Sequence, residues 1–311
     1  MTDPGARRPR ISVVVPALDA ATTLGECLRA LAEQSYPTEL RETIVVVDAR
    51  TSDATASIAR QSGARVLLHS REGAASARNA GVAIATGKWI AFTDADCVPT
   101  RRWLEELLNT CEASQGLGAA GPTSGLSSVT PAARFVDLTG GLDAERHLAH
   151  DTYPWAPTCN VMYRREALVS VGGFDERFES YEGCDLHTRL RREVGGAFSF
   201  VRRAVVLHRH RASWRAYWRQ QVNYGRGFAQ FFLRYGDELP WRPADELRAW
   251  TRVASAAVRA LISVRGNDAL LRRGLFVKSL AQRIGFVATF WRPNAAARWR
   301  REPRADISAA Q

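Results

Sequence analysis

The sequence lacks a hydrophobic run long enough to cross a membrane, although 46% of its 311 residues are hydrophobic. No stretch reaches the roughly 18 apolar residues that a spanning helix needs. The first ten residues have no apolar core, which predicts that there is no signal peptide. The five cysteines form no Cys-x-x-Cys pair. We therefore expect reduced thiols in a cytoplasmic protein, either free or peripheral on the inner face of the cell membrane.

Glycine-rich phosphate loops are also missing. The first predicted strand is followed by Pro16–Thr23, which contains no Gly-x-Gly-x-x-Gly turn and no basic residue. This absence argues against an NAD-binding protein and against a nucleotidyltransferase, because both classes hold phosphates at this turn. No recognition motif for nucleic acid accompanies the positive charge, so nucleic acid is not an expected partner.

Lysine is nearly absent, since only two of the 43 basic residues are lysine, and the arginines are unevenly placed. Residues 1–200 carry 21 basic and 25 acidic side chains, whereas residues 201–311 carry 22 and 7. Six of the nine tryptophans lie at or beyond Trp214. Such a region indicates an anionic partner, for example an anionic membrane surface. A solvated arginine-rich tail is the alternative interpretation.

Strands and helices alternate along the first 115 residues. Arg10–Pro16 and Glu42–Asp48 are continuous apolar runs of the kind that a parallel sheet buries on both faces. Thr23 and Glu26 have the spacing of a capping box at the start of the first helix. The alternation predicts an α/β fold with a doubly wound, mainly parallel sheet and helices on both faces.

The later part of the chain is less regular. Its patterns predict a helix over Phe135–His147 and a strand over Val201–His208. From Ser213 onward the periodicity is helical only, which predicts a C-terminal amphipathic helical extension. The predicted organisation is a flexible N-terminus over 1–10, an α/β domain over 11–212, a helical region over 213–300 that contacts a membrane surface or another protomer, and a flexible tail over 301–311.

Two carboxylates one residue apart, Asp94 and Asp96, follow a predicted buried strand. In an open α/β sheet, ligands bind outside the carboxyl ends of the strands. Because the two carboxylates repel each other, a cation is expected between them, and Mg²⁺ or Mn²⁺ prefers such oxygen ligands while leaving positions open for phosphate. Asp-x-Asp also occurs by chance on solvated surfaces.

Five ordered segments between Arg10 and Gly227 resemble the family 2 glycosyltransferases, which have the GT-A fold. The segments are SVVVPALDAATTLGECLRAL (12–31), IVVVDARTSDAT (44–55), REGAASARNAGVAIATGKWIAFTDADCVP (71–99), NVMYRREALVSVGGFDERF (160–178) and SYEGCDLHTRLRR (180–192). The resemblance implies a metal-dependent inverting glycosyltransferase that moves a sugar from a nucleoside-diphosphate sugar, UDP before GDP, to an acceptor hydroxyl in cell-envelope or lipid-linked glycan synthesis. The alternative is a degenerate nucleotide-binding or membrane-surface scaffold without transferase activity.

The resemblance implies a nucleotide-sugar site along the ends of the first strands. By motif position its members are Pro16, Ala17, Asp19, Asp48, Arg71, Gly73, Arg78, Asp94 and Asp96. Asp48 matches the acid that accepts a hydrogen bond from the base, although a carboxylate there also suits an N-cap. Arg78 either contacts the donor or holds Asp94 in place, because a guanidinium fork serves phosphate and carboxylate equally.

The implied cofactor is Mn²⁺ or Mg²⁺. The resemblance places Asp94 and Asp96 at the metal, with Asp96 the preferred direct ligand. His208, in Leu-His-Arg-His, matches the histidine that completes the metal site in several GT-A enzymes, and His210 is a weaker candidate. Neutral imidazole suits Mn²⁺ beside carboxylates. The alternative for His208 is an ordinary polar loop.

The general base is less clear from the motif. The family supplies it from a Glu-Asp pair followed by x-Asp-Leu, and Gly183 stands at the usual base position here. Glu182 and Asp185 remain as candidates, three residues apart and so on one side of a helix. Glu182 is preferred, with Asp185 as the alternative base or an orienting group. Both residues also suit the N-terminal end of a helix dipole.

The acceptor side is implied by four further residues. They are Trp155, Asn160, Asp175 and Arg226. An aromatic ring beside a sugar is expected in this family, although a single tryptophan also suits a protein core. The expected acceptor is a glycan, a lipid-linked glycan or a small molecule. A homo-oligomer is compatible with the helical region.

Overall fold

The computed structural model describes residues 10–239, 241–262 and 265–299. Apart from Arg10, the segments 1–10 and 301–311 that were predicted to be flexible lie outside these residues. The described strands are β1 (Ile11–Ala17), β2 (Arg41–Asp48), β3 (Arg65–His69), β4 (Trp89–Phe92), β5 (Cys97–Pro99), β6 (Gly118–Ala120), β7 (Thr123–Gly125), β8 (Val161–Arg164), β9 (Phe198–Phe200) and β10 (Val206–His208).

Helices connect the strands and then continue alone. They are α1 (Leu24–Ala32), α2 (Thr55–Gln61), α3 (Ala74–Ile84), α4 (Trp103–Ser114), α5 (Pro131–Leu138), α6 (Ala144–Leu148), α7 (Arg165–Ser170), α8 (Glu182–Glu193), α9 (Trp214–Arg234), α10 (Pro243–Ile262), α11 (Gly266–Phe290) and α12 (Ala295–Trp299), with a short 3₁₀ helix at Thr38–Leu40. In the described part of the chain, no helix has both the length and the apolar character needed to traverse a bilayer.

The main sheet has seven strands in the order β3-β2-β1-β4-β8-β6-β9. The first four strands in this order are parallel, and β8 pairs antiparallel with β4. Alternate residues of β1 enter opposite cores, so Val13 and Val15 pack under α1 and α4 while Val14 packs under α3 and α8. The predicted doubly wound, mainly parallel α/β sheet is therefore confirmed.

A small second sheet lies beyond the end of β4, in the order β5-β10-β7. The predicted strand over Val201–His208 is wrong, because only Val206–His208 is extended and it joins this small sheet. The chain leaves the main sheet after Phe200 and turns past Gly121, where a side chain would collide with the Ala204 carbonyl. The register pairs His208 with Cys97, next to Asp96.

Two predictions about helix ends are wrong. The predicted helix over Phe135–His147 is split, because Gly140 and Gly141 have positive φ values of 73° and 42° between α5 and α6, a conformation that stops a helix. The capping box at Thr23 does not form, since the Thr23 hydroxyl donates to the Ala20 carbonyl and makes no cap bond.

The C-terminal helices pack closely on each other and on the α/β part. At Gly225 in α9 an added Cβ would lie 2.0 Å from the Gln282 carbonyl oxygen, and at Gly285 in α11 it would lie 2.0 Å from that of Val222. The missing side chains let the two helix backbones approach directly. The ring of Phe135 in α5 packs against Gly274 of α11. The extension is thus joined to the sheet domain by tight packing.

Candidate active site

Five side chains meet just beyond the carboxyl end of β4, and we call them the sheet-edge cluster. They are Arg78, Asp94, Asp96, Glu182 and His208. They come from α3, the β4–β5 connection, the first turn of α8 and the end of β10. The side chains of Asp94 and Asp96 are 30% and 22% exposed, so solvent and ligands reach them.

Arg78 bridges two carboxylates of this cluster, Asp94 and Glu182. Its Nη2 donates to Asp94 Oδ1 at 2.9 Å, and its Nη1 donates to Glu182 Oε1 at 2.8 Å. Burial disfavours the charged guanidinium, but the two carboxylates outweigh burial and hold the Arg78 pKa above its ordinary value. Of the two interpretations of Arg78, the geometry supports the one in which it holds Asp94 in place.

The remaining two members of the cluster, Asp96 and His208, are side chains of the kind that bind a divalent cation. His208 Nε2 lies 3.6 Å from Asp96 Oδ1, so a carboxylate and an imidazole nitrogen face the same space. Mn²⁺ accepts such mixed oxygen and nitrogen ligands. Cys97 is nearby, but a hydrogen bond with Cys159 and burial raise the pKa of its thiol well above the ordinary value. Mn²⁺ and Mg²⁺ prefer oxygen and imidazole donors to a thiol, so Asp96 and His208 are the members of this group that suit such a cation.

The loops after β1 and β2 join below the cluster. Asp48 accepts from the side chain of Arg50 at 2.7 Å, and this hydrogen bond lowers the Asp48 pKa. Asp19 has a φ of 44° and accepts from the Ser52 backbone amide at 2.9 Å. Asp48 therefore remains an anionic acceptor at the strand end, and the bond from Ser52 fixes the carboxylate of Asp19.

The remaining residues of the predicted donor site border the same edge. Pro16 and Ala17 end β1, where Ala17 is buried. Gly73 precedes α3 with a φ of 102°, a conformation that glycine adopts without strain. The side chain of Arg71 is 74% exposed and lies 3.5 Å from Glu176. Arg71 is thus placed at the rim and is free to reorient toward a ligand.

A second group of acids and arginines lies along α8, and we call it the buried cluster. It comprises Asp175, Arg177, Asp185, Arg189, Arg234 and Tyr235. The Asp185 side chain is fully buried, accepts hydrogen bonds from Arg189 and Tyr235, and forms an ion pair with Arg234. Its burial leaves no solvent-exposed face of the carboxylate in this structure, which favours Glu182 over Asp185 as the base. Its position agrees with an orienting role for α8.

Two residues predicted on the acceptor side are also structural. Asp175 is 1% exposed and is held by Arg177, which outweighs burial and keeps the Asp175 pKa low. Asn160 is fully buried, accepts from Trp103 Nε1 at 2.7 Å and donates to the Pro122 and Ala204 carbonyls. Asn160 joins α4 to the two sheets, and neither side chain lines an open site.

Trp155 and Arg226 lie nearer to the opening. The Trp155 ring stacks on His147 with centroids 4.2 Å apart, and it also neighbours Gly183. Arg226 in α9 is 39% exposed and pairs with Glu179 at 3.1 Å. Both side chains are partly accessible, Trp155 next to Gly183 and Arg226 next to Glu179, so both stay candidates for the acceptor side.

Sequence reasoning missed Arg211 at the site. Its Nη1 lies 3.8 Å from Asp96 Oδ2, and the side chain is 49% exposed. The residue follows His208 and His210 in a loop, and no spacing rule separates it from the many other arginines of the C-terminal third. Only the pairing of β10 with β5 brings it to Asp96.

The described site can now be set beside known proteins. The model of the glycosyl transferase family 2 matches residues 12–172. This match covers half of the chain, and the chain belongs to that family. The predicted family and the GT-A fold are therefore confirmed.

Several named relatives are glycosyltransferases. The chain is 35% identical over 175 residues to the pre-mycofactocin glycosyltransferase of Mycobacterium tuberculosis. The aligned residues make up 55% of this chain and 37% of that protein. It is 27% identical over 261 residues to the glycosyltransferase AglE of Haloferax volcanii. The aligned residues make up 79% of this chain and 81% of that protein. The chain thus spans little more than a third of the length of the pre-mycofactocin enzyme.

Solved structures share the fold at low identity. The mannosyltransferase PcManGT of Pyrobaculum calidifontis, solved with GDP-Man and Mn²⁺, has a TM-score of 0.63 at 21% identity and covers 92% of this chain and 88% of its own. The glucosyl-3-phosphoglycerate synthase of Mycobacterium tuberculosis, solved with Mn²⁺, UDP-Glc and phosphoglyceric acid, has a TM-score of 0.55 at 21% identity, with coverages of 72% and 79%.

Proposed function

We propose that the chain is a metal-dependent inverting glycosyltransferase that moves a sugar from a nucleoside-diphosphate sugar to an acceptor hydroxyl. The observation that carries this proposal is the sheet-edge cluster, in which the Asp96 carboxylate and the His208 imidazole face one space at the ligand-binding edge of the sheet, with the partly exposed Asp94 two residues from Asp96. Donors bound in solved neighbours include GDP-Man and UDP-Glc. We infer a UDP-sugar as the first donor to test and a GDP-sugar as the second.

Asp94, Asp96 and His208 would hold Mn²⁺ or Mg²⁺. When bound, such a cation offsets the negative charge that develops on the leaving diphosphate. Arg211, 3.8 Å from Asp96, supplies a further positive charge on the same side. Asp48 and Asp19 offer carboxylates to the base and ribose from the neighbouring strand ends, and Arg71 reaches the donor from the rim.

Glu182 would act as the general base. In an inverting transfer the acceptor oxygen bonds to the anomeric carbon, the bond to the diphosphate breaks with its electron pair, and the hydroxyl proton passes to Glu182. The Glu182 side chain is 14% exposed at the start of α8. Arg78 donates to one of its oxygens, which orients the carboxylate while solvent reaches the site. A positioned base of this kind contributes about 10²–10⁴-fold.

A lipid-linked acceptor at an anionic membrane surface is supported by α10. This helix exposes a stripe of apolar side chains, with Leu247, Leu261 and Ile262 exposed by 67%, 84% and 65%. Three exposed arginines follow its flank, namely Arg248, Arg252 and Arg259. Apolar and cationic side chains on one helix suit the interface of anionic lipid.

Vesicle binding tests this surface. Arg252→Gln should reduce partitioning into vesicles with anionic lipid about fivefold, because one basic residue near the surface contributes about 1 kcal/mol. Arg60→Gln, an equally exposed arginine on α2, is the matched control. Partitioning into neither neutral nor anionic vesicles would remove the membrane from the proposal, and equal partitioning into both would remove the role of the anionic lipid.

The first experiment measures release of UDP or GDP from a panel of nucleotide sugars with and without Mn²⁺. We expect turnover of at least one donor, and Asp96→Ala should lower it about 10³-fold, since a metal contributes several kcal/mol to the transition state. Glu193→Ala, an exposed acid at the far end of α8, should leave the rate unchanged.

A scaffold without transferase activity is the alternative, because Gly183 stands at the usual base position. Failure of every donor to bind with either metal would establish that alternative. Binding without turnover would instead identify a degenerate enzyme that keeps the nucleotide site.

A further inference from the structure

We propose that His210 and Asp137 are positioning residues that set the tautomer of His208. The inference rests on the metal site of the proposed function, in which His208 Nε2 faces Asp96. Asp137 and the helix that carries it lie outside the five sequence segments on which the resemblance to the family rests. The three side chains form a chain of hydrogen bonds that leads away from the sheet-edge cluster.

The contacts are short and continuous. His208 Nδ1 lies 3.0 Å from His210 Nδ1, and His210 Nε2 lies 3.2 Å from Asp137 Oδ1. The two histidines are 7% and 9% exposed. Two buried rings that share one hydrogen bond need one donor and one acceptor, so the proton between their Nδ1 atoms belongs to only one of them.

The direction of the chain follows from its last member. The carboxylate of Asp137 is an acceptor, so His210 Nε2 carries the proton that it receives. Neutral His210 then has a bare Nδ1 that accepts, and His208 Nδ1 must donate to it. His208 is left with an unprotonated Nε2, and this atom points to Asp96 at 3.6 Å. We call this hydrogen-bonded series of His208, His210 and Asp137 the relay. It leaves a nitrogen lone pair on His208 at the position where a cation would bind.

The fold makes room for the end of the relay. His208 of β10 pairs with Gly125 of β7. A Cβ at Gly125 would lie 2.1 Å from Asp137 Oδ1, so only glycine leaves space for the carboxylate against the strand. Asp137 lies near the end of α5. The ring of Phe135 in the same helix packs against Gly274 of α11. The C-terminal helices thus hold the relay in position.

The tautomers can be observed directly in the metal-free protein by long-range ¹H–¹⁵N NMR of the histidine rings. We expect protonation of His208 at Nδ1 and of His210 at Nε2. Asp137→Leu should shift His208 toward the Nε2-protonated form, whereas Leu138→Ala, an exposed neighbour on the same helix, should not. Protonation of His208 at Nε2 in the unmodified protein would overturn the proposal.

Mn²⁺ affinity is the second readout, measured by electron paramagnetic resonance. Asp137→Leu should weaken Mn²⁺ binding about 10–100-fold, the usual effect of removing such a hydrogen-bond partner. Asp137→Asn keeps an accepting oxygen and should restore most of the affinity. Gly125→Ala, which displaces the carboxylate without removing it, should weaken binding as Asp137→Leu does.

The outcomes separate this proposal from the proposed function. If the unmodified protein binds Mn²⁺ and Asp137→Leu binds it equally well, the relay is wrong and the proposed function stands. If the unmodified protein binds neither Mn²⁺ nor Mg²⁺, the metal-dependent function fails, and the tautomers measured in the metal-free protein then decide the relay by themselves. A loss of affinity that Leu138→Ala shares equally would assign the effect to α5 packing and would also overturn the relay.

Discussion

Two clusters of carboxylates and arginines lie close together in this molecule and differ in access to solvent. In the sheet-edge cluster, Asp94 and Asp96 are 30% and 22% exposed, and Arg78 reaches only one oxygen of Asp94. In the buried cluster, Asp175 and Asp185 are almost fully enclosed by arginines. The same residue types thus leave carboxylates open to solvent in one place and form enclosed ion pairs in the other.

Helix α8 carries members of both clusters. Glu182 begins the helix and faces the opening, whereas Asp185, one turn later, faces Arg189, Arg234 and Tyr235. A buried carboxylate must have its charge compensated within the protein, while a partly exposed one keeps capacity for a substrate or an ion. The motif alone therefore does not separate the two acids, whereas their burial does.

The largest expected effect is on catalysis at Glu182. Glu182→Gln keeps the shape of the side chain and removes its ability to take a proton, so kcat should fall about 10²–10⁴-fold. The free energy of unfolding should change little. We would measure nucleotide release with the donor found in the panel, together with donor affinity, which should be retained. A fall in donor affinity that accounts for the whole loss would mean that Glu182 binds the donor and does not act as base.

The next effect is on stability at Asp185. Asp185→Asn removes the buried counter-charge of Arg189 and one of the two carboxylates beside Arg234, which should lower the free energy of unfolding by about 3–5 kcal/mol. Urea denaturation checks this value. Glu145→Gln, which breaks an exposed pair with Arg202, should cost less than about 1 kcal/mol. A stable Asp185→Asn protein without turnover would return Asp185 to the candidates for the base.

Much of the sheet could be predicted from the sequence, because strands buried on both faces need continuous apolar runs. The runs that end near Pro16 and Asp48 gave β1 and β2 to within one residue at each end. The later elements were harder. Short strands such as β9 and β10 have three residues each, too few for periodicity to separate them from the loop between them.

The candidate site also contains some residues whose placement the sequence predicts and others whose surroundings it does not. Asp94 and Asp96 follow a strand, and their placement at the sheet edge is a direct consequence of chain order. Asp175 and Asn160 looked equally polar in the sequence, yet both are enclosed by partners that lie far away along the chain, Arg234 for Asp175 and Trp103 for Asn160. No local pattern carries that information.

The sequence by itself determined the family, the parallel sheet and the position of the acidic pair at its edge, since these depend on local hydrophobic patterns and on short ordered motifs. The tertiary structure alone decided which acids are accessible, and it brought Asp137, His210 and Arg211 to His208 and Asp96. The physical reason is that solvent access and hydrogen-bond partners are set by elements distant in sequence, which pack together only in the folded chain.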